Sequence, residues 1–80
     1  MLAPDPIFIL KGLPEKYHAE VRLNATLNAQ GFFPDITEDD EKDYRQWARE
    51  NYQPERLITS TWHPVTVDEC IKIIKEFISD

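Results

Sequence analysis

The sequence predicts an α+β fold of two layers, a three-stranded sheet with both helices packed on one face, in the order β-β-α-β-α. Three observations predict it. Residues 17–30 alternate apolar and polar side chains without an exception. Residues 67–78 repeat apolar side chains at the i, i+3, i+4, i+7 spacing of a buried helix stripe. Two short runs, 6–10 and 55–62, are rich in β-formers and close at turn residues. The 80-residue chain is expected to form one domain, 1–80, with a single core. A chain of this length buries only about 60–65% of its unfolded surface, so modest stability is expected.

The first element is the run "PIFIL" (6–10), a strand stopped by Lys11-Gly12-Leu13-Pro14. The second is "YHAEVRLNATLNAQ" (17–30). On a strand its apolar residues line one face, whereas at 100° per residue they scatter around a helix. Ala, Leu, Asn and Glu are weak strand formers, and Pro14 before the segment and Gly31 after it also suit a helix. The period is given more weight than the propensity, so a long strand is expected, paired with the first in an antiparallel hairpin. Thr37-Glu38-Asp39-Asp40 opens a helix, with Thr37 as its cap and acids at the positive end of the dipole. Pro54 stops it after about Asn51 or Tyr52. "ERLITSTW" (55–62) is the third strand, ended by His63-Pro64. The last helix follows a capping box, Thr66-Val67-Asp68-Glu69, and presents Val67, Cys70, Ile71, Ile74, Phe77 and Ile78 to the core.

Charge is unevenly distributed. The net charge is −6. Residues 1–34 balance, residues 35–54 set three bases against seven acids (−4), and residues 55–80 set three against five (−2). An acidic chain repels phosphate backbones, so direct nucleic-acid binding is not expected, and attraction to a basic protein surface is. No window approaches the roughly 18 apolar residues of a membrane span, and the N-terminal residues lack the basic start and apolar stretch of a secretory signal. With one cysteine, Cys70, the expected compartment is the cytoplasm. Asn24-Ala25-Thr26 matches a glycosylation acceptor, which has no meaning there.

No catalytic constellation is found. With only Gly12 and Gly31 there is no phosphate loop, and the acidic run lacks the ligand spacing of a calcium loop. One cysteine and two distant histidines make no zinc site. Cys70 lies on the apolar stripe and is expected to be inert packing. His18 is expected to be solvated and His63 to be a loop residue. The chain is therefore expected to be no enzyme and to need no cofactor or metal.

The feature that remains is "PDITEDDEKDYRQW" (34–47), with six acids between Asp35 and Asp43. Glu38 precedes Lys42, and Glu41 precedes Arg45, by four residues, the favourable orientation for ion pairs worth about 0.2–0.5 kcal/mol each. Tyr44, Trp47 and Ala48 are the expected core contacts of this helix. Asp39, Asp43 and Glu50 form a stripe with Gln46 and carry no base, and Asp35 and Asp40 sit near the helix start. This stripe is either a solvated face that keeps the chain soluble or a docking face for Lys and Arg of a partner, with Trp47 at its border as an anchor. The expected partner-binding residues are thus Asp35, Asp39, Asp40, Asp43, Trp47 and Glu50, held above the sheet.

Two functional expectations follow. The first is a small interaction protein that binds a basic surface as an inhibitor, a regulator or a mimic of nucleic-acid charge. The second is a homo-oligomeric or accessory subunit, for example a homodimer, with apolar contacts through Ile7, Ile9, Phe32 and Phe33. In size and charge alone the chain is similar to small acidic inhibitors carried by phages and mobile elements; no motif carries that likeness.

Overall fold

The computed structural model describes residues 12–78. A 3-10 turn, Glu15–Tyr17, runs into α1, His18–Ala29; α2 spans Glu38–Asn51 and α3 spans Pro64–Ile78. No strand is present among the described residues. The expected three-stranded α+β sheet is therefore replaced by three helices, with α2 and α1 both packed on α3. The expected strand at 6–10, and with it Ile7 and Ile9, lies outside the described residues.

The correction at residues 17–30 has a local cause. The segment carries start and stop signals for a helix and residues that favour one, namely Ala, Leu, Glu, Arg and Gln. Pro14, which has no N–H to satisfy, accepts from Tyr17 N at 3.1 Å and sets the first turn. At the other end Gly31 has φ +79°, a conformation that costs a side-chain-bearing residue energy. Gly31 N donates to Asn28 O and Phe32 N to Leu27 O, both at 3.0 Å, the paired bonds of a Schellman stop. The inward stripe of α1 is Val21 and Asn24, continued from Tyr17 of the preceding turn, all buried. Helical spacing thus uses only part of the alternating apolar set and leaves Ala19, Ala29 and Leu23 exposed. Asn24, expected on a polar outer face, points inward. His18, expected to be solvated, is half-buried with Nε2 2.6 Å from Leu13 O.

The expected third strand fails for a different reason. Between Leu57 and Thr61 side-chain exposure does alternate: Ile58 and Ser60 are buried, and Leu57, Thr59 and Thr61 are exposed. What the segment lacks is a neighbouring strand. Its backbone is bonded instead by side chains of α1. Ser60 N donates to Glu20 Oε2 at 3.0 Å, and Asn24 Nδ2 donates to Ser60 O at 2.8 Å and Trp62 O at 2.6 Å. These bonds satisfy polar groups that a ladder would otherwise serve. They also engage Asn24 as a buried structural residue, which leaves the glycosylation acceptor without an exposed side chain.

α2 begins as its sequence indicates, with Thr37 Oγ1 accepting from Asp40 N at 3.1 Å, and it ends at Asn51. α3 starts earlier than the capping box suggests. Pro64 takes the first helical position, where its missing N–H costs nothing. His63 before it caps the turn, its Nδ1 accepting from Val65 N at 3.2 Å while Nε2 donates to Pro34 O at 2.9 Å. Thr66 and Glu69, freed from capping, are buried. The core stripe of α3 holds at Val67, Cys70, Ile71 and Ile74, whereas Phe77 and Ile78 are exposed. Ala48 of α2, with no exposed surface, lets the α2 and α3 backbones approach, and Leu13, Tyr17, Val21, Tyr52 and Ile58 complete the core.

Candidate functional site

The acidic helix does not rest on a sheet. It is clamped to α3 by ion pairs. Arg45 Nη1 lies 2.9 Å from both Asp68 Oδ2 and Glu69 Oε1, with Glu41 Oε1 at 3.4 Å from its other terminal nitrogen. Arg49 bridges the second oxygen of Glu69 and Glu76 Oε2, the latter at 2.8 Å. Burial raises the proton affinity of the Glu69 carboxyl, but hydrogen bonds from Arg45 and Arg49 outweigh it and hold the carboxyl below its ordinary range. The expected Glu41–Arg45 pair forms, and the Glu38–Lys42 pair does not.

This clamp fixes which way α2 faces. Glu41, Arg45, Ala48 and Tyr52 turn toward α3 and the core. Asp39, Asp43 and Glu50 lie on the far side and are exposed. None of these three has an ion-pair partner among the described residues, and Glu50 accepts only from Gln46 Nε2, at 2.8 Å. Asp40 is exposed in the first turn. Asp35 is exposed as well, in the lining of a separate hollow of about 430 Å³ beneath that turn.

Tyr44 and Trp47, expected in the core, are not there. They are 37% and 44% exposed, because the clamp rotates them to the flank of α2. There they meet aromatic residues from the two loops. Trp47 packs edge-on against Trp62, with centroids 5.5 Å apart, and Trp62 against Tyr52 at 6.3 Å. Tyr44 packs against His63 at 5.5 Å, and His63 against Phe33 at 5.7 Å. All of these but the buried Tyr52 wall an open groove of about 580 Å³ whose lining includes Asp43. Phe32 packs edge-on to Phe33 at 4.9 Å and is 56% exposed.

The structure therefore brings Asp43, Trp47 and Phe33 to one groove, sets Asp39 and Glu50 on the adjoining outer stripe, and leaves Asp35 apart. Sequence reasoning missed Tyr44, Trp62 and His63 as members of a surface site. The signal available was Trp62-His63 beside a helix-starting proline, aromatic residues in a loop rather than at a strand end. Thr61, His63 and Thr66 line the groove, but both ring nitrogens of His63 are bonded to backbone atoms and to neither hydroxyl. Cys70 has no exposed surface, and burial pushes its thiol up to about 12, with Glu69 adding to the shift. No cluster of three or more His, Cys, Asp or Glu is placed to hold a metal ion among the described residues, and no helix there is long and apolar enough to cross a membrane. No protein-family model, curated protein or solved structure matches this chain, and its function is read from its own residues.

Proposed function

We propose that this chain is a small non-catalytic interaction protein that docks the outer face of α2 on a basic surface of another protein. One observation carries the reading. The two arginines of α2 are both turned toward α3 and occupied by its acids and by Glu41, so the stripe of Asp39, Asp43 and Glu50 carries no ion pair, with the exposed Lys42 as the one base of α2 left at its border. Folding does not require that arrangement, because Asp39, Asp43 and Glu50 bond nothing in α1 or α3. A face with a net excess of one sign speeds encounter with its opposite and loses that advantage as salt rises.

A hexa-arginine peptide tests the reading. Binding measured by calorimetry should weaken at least tenfold in the double variant Asp39→Lys with Asp43→Lys. The same charge reversal at two exposed acids away from the face, Glu15→Lys with Glu55→Lys, should weaken it far less. Equal losses from both pairs would mean that net charge, not this face, does the binding.

A second reading, self-association through apolar contacts, is favoured by the exposed Phe32 beside Phe33. Light scattering at low and high salt separates the two. A dimer that persists in high salt and dissociates in Phe32→Ser supports self-association; a monomer at both salts removes it.

A further inference from the structure

We infer that the aromatic groove between α2 and the 61–63 loop is the seat for an arginine side chain of the docked partner, held between ring faces and the Asp43 carboxylate. The inference rests on the acidic docking reading and deepens it, by assigning the groove as the place where one cation leaves the solvent.

Four aromatic side chains, Phe33, Tyr44, Trp47 and Trp62, line one hollow together with His63. The rings meet edge to face, at interplanar angles of 63° to 74° for the pairs that join α2 to the loop, which leaves ring faces turned in more than one direction. Each such face is electron-rich and attracts a cation placed over it. The groove is not an accident of two soft loops. His63 is tied at both ring nitrogens, to Val65 N and Pro34 O, and the carbonyl of Trp62 is held by Asn24. The walls are thus preformed, and binding does not have to order them.

Charge selects the occupant. An apolar segment would fill the hollow but leave Asp43 to lose water without a partner, which is costly for a carboxylate. An anion would meet the acidic stripe. A cation on an alkyl stem satisfies both parts of the lining. Arginine suits it better than lysine, because the guanidinium is planar, weakly hydrated, stacks on rings and bonds a carboxylate through a fork of N–H groups.

Both tryptophans of the chain, Trp47 and Trp62, lie in this groove, so fluorescence excited selectively at tryptophan reports on it. Hexa-arginine and hexa-lysine peptides, equal in charge, should be titrated into the full chain while tryptophan emission is followed. The expected result is a change in emission with both peptides and binding of hexa-arginine about fivefold or more tighter than hexa-lysine. That preference should disappear in Tyr44→Ala and in Trp47→Ala, whose side chains are part-exposed and whose net charge is unchanged; calorimetry supplies the affinities where emission is lost. If Trp47→Ala does not fold, Tyr44→Ala decides. Equal affinity for the two peptides in the parent chain, or a preference that survives both variants, overturns the groove assignment. In that event binding that still depends on Asp39 and Asp43 leaves the acidic face standing, whereas no binding of either peptide at low salt removes both.

Discussion

Replacing Glu69 by glutamine is expected to cost the fold about 2 kcal/mol at neutral pH and to flatten its response to acid. Glu69 is 7% exposed and bonds both arginines of α2. Removing one partner of a buried ion pair costs about 3–5 kcal/mol when the other is stranded. Here Arg45 keeps Asp68 and Glu41, Arg49 keeps Glu76, and both reach water, which brings the figure down to about 2 kcal/mol. The amide would also set an N–H against a guanidinium. The pH dependence has a definite sign. The folded carboxyl binds its proton less tightly than the unfolded one, whose ordinary value is 4.5. Its contribution is therefore complete above that value and is lost as pH falls through the lower folded value. Urea unfolding at neutral pH and in steps below about pH 5 should show a steeper acid loss in the parent chain than in Glu69→Gln. Parallel curves, or equal stability at neutral pH, would show that the Glu69 carboxylate does not hold α2 to α3. Any loss of peptide binding in this variant should track the fraction unfolded, since Glu69 does not line the groove.

Asn24→Asp is expected to be at least as damaging, at about 3 kcal/mol, although it exchanges one nitrogen for an oxygen. The Asn24 amide donates two hydrogen bonds to main-chain carbonyls, those of Ser60 and Trp62. A carboxylate can donate to neither and places a charge against two carbonyl oxygens at a site where the residue is 4% exposed. Leaving a buried acceptor without its donor costs about 1–3 kcal/mol; Trp62 is only partly buried where Ser60 is buried, so the two losses do not count in full. Asn24→Leu, which has no charge to bury, should cost about 2 kcal/mol. Both variants loosen the 60–62 segment, so native-state tryptophan emission should shift to the red as Trp62 gains water. Unchanged emission together with unchanged stability would mean that this segment is held by Ile58 and by the Glu20–Ser60 bond and not by the amide.

The two experiments probe different parts of the same design. Glu69 sets the face that α2 turns outward, and Asn24 sets the loop that α2 meets at the groove. A chain of this length has a small core, so polar links that fix orientation carry a larger share of its specificity than they would in a bigger domain.

Local chemistry in the sequence was enough to determine α2 and most of α3. The Thr37 cap and the stop before Pro54 depend on neighbours a few residues away, and the stripe Val67-Cys70-Ile71-Ile74 is apolar wherever it is buried. The segments misread as strands are those in which a buried position is polar, whereas Tyr44 and Trp47 of α2 are aromatic yet exposed because the ion pairs to α3 set that helix's rotation. Residues 17–30 alternate perfectly, yet the helix buries Asn24 and leaves Leu23 exposed, because the partners of Asn24 lie 36 and 38 residues further on. Residues 57–61 alternate in exposure as a strand does, yet side chains of α1 stand where a neighbouring strand would. Glu69 reads as a capping residue until Arg45 and Arg49 are seen beside it. A hydropathy pattern reports burial only when the buried groups are apolar; a polar group is buried where a distant partner waits for it, and only the tertiary structure shows which partner arrives.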